Sequence, residues 1–185
     1  DPLFYPDINW YDYMLKDFST QTQTNFNVSG GTERVKYFVS LGVFTQNGML
    51  DTGIYDPGYS YQIAFRRYNM RSNFDINVTK NLLLSLDISN QVGNLQNPNW
   101  STGQIMESLN STPSNAAPGA IDNKVVTITD VFGSGRNPAG PYTRGWKSKY
   151  ENNLNLSGRF TYKMDYLLKG LSLRGALSYK SYSTE

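Results

Sequence analysis

The sequence predicts an all-β chain, an antiparallel up-and-down meander with one apolar and one polar face. Three observations lead there. Apolar and polar residues alternate with period two in six segments, the connections between segments alternate short and long, and the faces of one hairpin match in register.

The segment 68–78 carries the sharpest alternation. Tyr68, Met70, Phe74, Ile76 and Val78 point one way, with Ser72 the only interruption, while Asn69, Arg71, Asn73, Asp75 and Asn77 point the other way. Such contrast requires a strand with one face against a polar medium and the other against a protein core or a lipid tail.

In chain order, residues 1–21 are expected to lead into the sheet, with Trp10, Tyr11 and Tyr13 anchoring them. A first strand over 22–29 sets Thr24, Phe26 and Val28 against Asn25, Asn27 and Ser29. A second over 35–46 sets Val35, Tyr37, Val39, Leu41 and Val43 against Lys36, Phe38, Ser40, Gly42, Phe44 and Gln46. The third is 68–78. The fourth, 82–93, sets Leu82, Leu84, Leu86 and Ile88 against Leu83, Ser85, Asp87 and Ser89. The fifth, 152–163, sets Leu154, Leu156, Phe160 and Tyr162 against Asn153, Asn155, Ser157, Arg159, Thr161 and Lys163. The sixth, 171–182, sets Leu171, Leu173, Leu177 and Tyr179 against Ser172, Arg174, Ser178 and Lys180.

Short turns join the first and second, third and fourth, and fifth and sixth strands (residues 30–34, 79–81 and 164–170). Long connections, 47–67 and 94–151, separate these hairpins. Within them, 103–111 suits a short helix with Ile105, Met106 and Leu109 on one side, and 112–122 is irregular. Residues 125–131 read as a small extra strand and 133–145 as a turn region. In a meander, alternate connections lie at opposite ends of the sheet, so one end collects tight turns and the other long loops. Outer-membrane barrels sort their loops this way; soluble sandwiches have no reason to.

Register gives an internal check. If 79–81 closes the loop, Val78 sits opposite Leu82, Ile76 opposite Leu84 and Phe74 opposite Leu86. Asn73 then faces Asp87 and Asp75 faces Ser85 on the polar side, with Arg71 diagonal to Asp87.

Composition excludes several chemistries. The chain has 185 residues, 17 basic against 15 acidic, for a net charge of +2, which gives no case for nucleic acid. It has no Cys and no His, which removes disulfides, thiolate zinc sites, Ser-His-Asp triads and imidazole ligands. No apolar run approaches the roughly 20 residues of a membrane helix. Residues 1–5 lack the basic and apolar regions of an export signal, so any such signal is expected outside this stretch. No cofactor, metal ligand or catalytic residue is expected.

Two stretches resemble a known family. Residues 5–12 (Tyr-Pro-Asp-Ile-Asn-Trp-Tyr-Asp), Gln21-Thr22-Gln23 and residues 27–42 (Asn-Val-Ser-Gly-Gly-Thr-Glu-Arg-Val-Lys-Tyr-Phe-Val-Ser-Leu-Gly) resemble SusC/RagA-type TonB-dependent transporters. So do Arg67-Tyr68-Asn69-Met70-Arg71-Ser72-Asn73-Phe74-Asp75-Ile76-Asn77. The likeness is strongest over 5–90 and recurs more weakly over 152–182. It implies a fragment of a 22-stranded outer-membrane barrel just after the plug domain, with 1–21 leading in from the plug and 22–185 forming about six strands. It further implies TonB-driven import of glycans or peptides, a SusD-like surface lipoprotein as lid, outer-membrane lipid around the wall, extracellular long loops and periplasmic short turns.

The loop aromatics Tyr55, Tyr59, Tyr61, Trp100, Tyr142 and Trp146 are candidates for contact with substrate or lid, since flat rings suit pyranose C–H faces; equally, they pack the loops together. Arg71, Asp75, Asp87, Arg159, Arg174 and Lys180 form the polar stripe expected to face the lumen. Tyr37, Tyr68, Tyr162 and Tyr179 suit an interfacial girdle, or simply strand preference. Asp51-Thr52-Gly53 mimics an aspartic-protease loop but reads as a turn. The competing functions are a soluble carbohydrate-binding β-sandwich and a glycosidase drawing on Asp51, Asp56, Glu107 or Asp122.

Overall fold

Alternating side chains commit the chain to strands, and short turns make consecutive strands neighbours. The computed structural model describes residues 6–126 and 137–185. Six strands, β1 (Gln21–Gly31), β2 (Val35–Asn47), β3 (Ala64–Asn77), β4 (Leu82–Pro98), β7 (Trp146–Lys163) and β8 (Ser172–Thr184), form one sheet in the order β1-β2-β3-β4-β7-β8. A separate two-residue hairpin, β5 (Ala120–Ile121) and β6 (Lys124–Val125), lies within the connection from β4 to β7. The main sheet is thus an antiparallel meander.

Three strands outrun their alternation. β3 begins at Ala64 rather than at Tyr68, β4 continues to Pro98 beyond Gly93, and β7 begins at Trp146 rather than at Asn152. The added residues, such as Asn94-Leu95-Gln96-Asn97 and Lys147-Ser148-Lys149, lack an apolar stripe. Backbone pairing with the neighbouring strand extends them where side-chain pattern does not.

Both three-residue turns begin with a threonine that caps them. Thr32 Oγ1 accepts from the backbone N–H groups of Arg34 (3.3 Å) and Val35 (3.2 Å), and Thr79 Oγ1 accepts from those of Asn81 (3.3 Å) and Leu82 (3.1 Å). The Val78 N–H donates to the Leu82 carbonyl at 2.9 Å, so these residues close the β3–β4 loop as the face-matching argument expects. Across the polar side, Asn73 donates to Asp87 and the Ser85 hydroxyl to Asp75 at 2.5 Å. β7 and β8 pair continuously from Glu151–Thr184 to Lys163–Ser172.

Two glycines make room for aromatic rings on the apolar face. Gly175 lies opposite Phe160, whose ring occupies the space a Cβ would take. On the first hairpin a Cβ at Gly30 would come within 2.6 Å of the Tyr37 hydroxyl. An aromatic over a cross-strand glycine restores packing that the missing side chain forfeits.

The described residues of 1–21, 46–65 and 95–148 form a compact unit of their own, distinct from the body of the sheet. Helix α1 (Trp10–Met14) is capped by Asn9, whose side chain accepts from the Tyr11 N–H at 3.2 Å. Helix α2 (Thr102–Ser111) starts at Ser101 with a capping box: the Ser101 hydroxyl accepts from the Gln104 N–H (3.2 Å), and the Gln104 side chain accepts from the Ser101 N–H (3.0 Å). It buries Ile105 and Leu109, with Met106 half-buried beside them, the face expected from sequence. The β5–β6 turn places Asp122 (φ 48°) and Asn123 (φ 58°) in the left-handed region that short Asx side chains tolerate. Of the extra strand expected over 125–131, only Val125 is in a strand and residues 127–131 lie outside the described residues. The turn region 133–145 contributes a 3₁₀ turn, Gly140–Thr143, with 133–136 outside the described residues.

Candidate functional site

The polar face of the sheet is the first candidate. Alternate residues of β1, β2, β3, β4 and β7 line a concavity of about 470 Å³, among them Asn25, Ser40, Asn69, Arg71, Gln91 and Asn155. Gly42 belongs to its floor: a Cβ there would meet Asn25 Oδ1 at 2.8 Å, so glycine leaves space for the amide. Phe38 also lines the concavity. One strand-width away, the Arg67 guanidinium covers the Phe44 ring at 5.1 Å. Arg67 was not singled out from sequence, although two aromatics at polar-face positions of one strand, Phe38 and Phe44, signal such a cover.

The expected polar stripe divides in two. Asp87 is its hub: Arg159 Nη2 reaches Asp87 Oδ2 at 2.8 Å and Asn73 donates to Oδ1. Asp75 accepts from Ser85. The partner of Asp87 is therefore Arg159 on β7, across β4 from the diagonal Arg71 on β3, which instead lines the concavity. Arg174 pairs in register with Thr161 and Lys180 with Asn155, both exposed. The stripe's four bases outnumber its two acids, giving the face a positive bias that suits anionic or hydrogen-bonding solutes.

The loop aromatics separate by burial. Tyr61 (2 % exposed) and Tyr142 (0 %) stack at 4.1 Å with an interplanar angle of 25° inside a core that includes Trp10, Met14, Leu50, Ile105 and Leu109. Neither offers a ring face to a solute. Their hydroxyls are tied to backbone: Tyr61 donates to the Tyr55 carbonyl (2.8 Å) and Tyr142 to the Met14 carbonyl (3.4 Å). Burial pushes the Tyr61 phenol up to about 12, with Asp51 adding to the effect, and raises that of Tyr142 further. Tyr59 is half-buried, donating to the Tyr142 carbonyl (2.9 Å) and accepting from the Gly145 N–H (2.9 Å). Trp100 is half-buried under the Arg144 guanidinium at 5.0 Å. Tyr55 keeps part of its surface and Trp146 is 50 % exposed.

Residues 6–20 share this loop core: Trp10 Nε1 donates to the Pro113 carbonyl (2.9 Å), and the Tyr13 hydroxyl accepts from the Ala120 N–H (2.8 Å). Tyr11 is exposed and hydrogen-bonds Asn110.

The carboxylates weighed for glycosidase chemistry do structural work. Asp51 Oδ1 accepts from the Gly53 N–H (2.9 Å), making Asp51-Thr52-Gly53 a turn, and Asp56 Oδ1 accepts from the Gly58 N–H (2.8 Å). Glu107 is exposed on α2 and Asp122 sits in the β5–β6 turn. Among the described residues no group of three or more His, Cys, Asp or Glu is placed to hold a metal.

The opposite face is apolar and exposed: Phe26 (63 %), Leu41, Tyr68, Leu173 and Leu177 (80 %) cover it from β1 to β8. On β2 the stripe from Val35 to Val43 runs about 27 Å along the strand at ~3.4 Å per residue, or about 21 Å once tilted by ~40°, close to the ~25 Å apolar band of a transmembrane barrel. This exposed apolar face and the polar concavity lie on opposite sides of one sheet. Solved structures of the RagAB peptide importer contain a similar fold: in its open-open state the match has a TM-score of 0.70 at 21 % identity over 98 % of this chain, and in its closed-closed state 0.67 at 19 % over 96 %. The chain has the fold of the matching segment of those importer chains. A curated relative, TonB-dependent receptor P26 of Formosa agariphila, is 26 % identical over 113 residues, 61 % of this chain. No family model matches. The chain spans about a tenth of that relative's length and about a fifth of the RagAB chains.

Proposed function

We propose that this chain is a wall segment, with its external loops, of an outer-membrane importer of glycans or peptides energised through TonB. The single observation that carries it is the pairing of an exposed apolar face with a concave polar one on the same six strands. A soluble sandwich needs a second sheet over Leu41, Tyr68 and Leu177, and none covers them among the described residues. The glycosidase alternative needs two converging carboxylates, and Asp51 and Asp56 are committed to turns.

The polar stripe from Arg71 to Lys180 faces the lumen of a large barrel, of 22 strands by resemblance, whose plug and remaining strands lie outside this chain. The long connections face the exterior and the short turns the periplasm. Residues 6–20, the lead-in from the plug, share a core with both long connections and so enter the sheet at its long-loop end. A SusD-like lipoprotein closes the mouth. Exposed Trp146 and part-exposed Tyr55 and Trp100 are the aromatics left to meet cargo or lid; Tyr61 and Tyr142 brace the loops that present them. The wall performs no bond chemistry.

The test is extraction and gel mobility of the full-length parent protein. Release only by detergent, with an unheated band that migrates faster than the boiled one, supports the barrel. A species soluble in plain buffer with no mobility shift sinks it and puts the soluble sandwich first.

A further inference from the structure

The three short turns differ in one respect. The β1–β2 and β3–β4 turns are polar, Thr32-Glu33-Arg34 and Thr79-Lys80-Asn81, whereas the β7–β8 turn presents Tyr166, Leu167 and Leu168 at 66, 69 and 67 % exposure. Three consecutive large side chains standing in water at a turn tip are unfavourable unless something apolar receives them. We propose that residues 164–170 are an interfacial anchor that inserts Tyr166, Leu167 and Leu168 into bilayer lipid at the short-turn end of the sheet. The inference rests on the barrel reading above and assigns one turn a role that this reading does not require.

Direction, backbone and charge favour lipid over other occupants. The phenol of Tyr166 pairs with that of Tyr162, which alternates with Phe160 and Leu156 on the outward apolar face, so the turn folds towards that face and not the polar one. Leu171 and Leu173, exposed on the same face, continue the apolar surface without a break from the turn into β8. The turn also ties five of its backbone N–H groups internally, which lowers the cost of bringing it to the edge of the hydrocarbon. The N–H groups of Leu167 (2.9 Å) and Leu168 (3.2 Å) donate to the Met164 carbonyl, Met164 N–H donates to the Leu171 carbonyl (2.8 Å), and Leu171 N–H to that of Leu168 (3.0 Å). Asp165 Oδ1 takes the Gly170 N–H (2.8 Å), with Gly170 at φ +83° allowing the return. Lys169 flanks the apolar tip within the turn, on a stem long enough to carry its ammonium group to headgroup phosphates.

The experiment places single cysteines, labelled with an environment-sensitive fluorophore, in a cysteine-free version of the full-length parent protein. The protein is reconstituted in vesicles of phosphatidylcholine and phosphatidylglycerol carrying nitroxide lipids. Leu167→Cys reports the turn, Leu177→Cys the outward strand face and Lys80→Cys a polar turn; Leu168→Cys replaces Leu167→Cys if the latter does not assemble. The expected result is loss of emission to lipid nitroxide at positions 167 and 177, strongest at 167 for a nitroxide near the headgroup. Position 80 responds only to aqueous iodide. Quenching at 177 without quenching at 167 overturns the anchor and leaves the barrel standing, whether 167 is found in water or shielded from iodide by protein. Lipid quenching at neither position overturns the barrel reading, and the anchor with it.

Discussion

Leu177 and Ser178 are adjacent on β8 and point to opposite faces, so the same substitution at each discriminates between lipid and water. Leu177 stands opposite Gly158 and is 80 % exposed in this chain; Ser178 stands opposite Ser157, with their hydroxyls 2.9 Å apart. Arginine at a lipid-facing position near mid-membrane costs a barrel about 2–4 kcal/mol. On the polar face, arginine loses one hydroxyl–hydroxyl bond, about 1 kcal/mol, and keeps its own hydration. Leu177→Arg is therefore expected to destabilise the full-length protein by about 1–3 kcal/mol more than Ser178→Arg. The assay is the denaturant midpoint of vesicle-embedded protein, read from loss of the fast-migrating gel band, together with outer-membrane abundance in cells. If Leu177 faced water, its replacement would fall within about 0.5 kcal/mol of wild type, as surface substitutions do. Equal midpoints for the two variants, or a larger loss at Ser178, would refute the assignment of faces.

Gly175→Val is expected to cost about 1–3 kcal/mol by driving the Phe160 ring from its place, and Phe160→Ala in the same molecule to recover part of it; midpoints of the two single variants and the double variant measure this. The Arg159–Asp87 pair, with both side chains over a third solvent-accessible or close to it, is expected to show a coupling of about 0.2–1 kcal/mol in a double-mutant cycle, falling as salt rises. Tyr142→Ala is expected to remove about 3–5 kcal/mol from the loop unit, read as faster proteolysis of the long connections in intact cells. Because burial raises the Tyr61 and Tyr142 phenols in the folded loop unit, their protonated forms favour folding. That stabilisation is intact below about pH 10 and is lost as pH rises towards 12. Tyrosinate absorbance should lose its latest-titrating component in Tyr142→Phe.

The sheet was legible in the sequence because a strand with one apolar and one polar face must alternate at nearly every position. The matching of Val78 with Leu82 and of Asn73 with Asp87 then followed from parity and a three-residue turn alone. The loop core was not legible. Tyr61 and Tyr142 stand 81 positions apart in the chain, and their stacking follows from tertiary packing with no sequence period to announce it. The same holds for Trp10 and Met14, buried in that core although the lead-in shows no amphipathic stripe long enough to mark it. Arg159, and not the diagonal Arg71, pairs with Asp87 because β7, whose expected start at 152 lies 59 positions past the expected end of β4 at 93, becomes β4's neighbour, and hairpin logic does not see across a long connection.

Strand length itself carries a last step. β4 has 17 residues and β7 has 18, about 60 Å along each strand and about 45 Å when tilted by ~40°, nearly twice the ~25 Å apolar band. On the outward side of β7 the apolar stripe covers Leu154 to Tyr162 and reaches the short turn, so the excess lies wholly at the other end. There Lys149 pairs with Glu151 at 2.6 Å and the Tyr182 hydroxyl donates to Glu151 at 3.3 Å, contacts suited to water. With water on both faces nothing enforces alternation, which is why pattern alone starts β3 and β7 too late and ends β4 too early. On the proposed barrel reading, those unpatterned ends are the part of the sheet that rises beyond the membrane.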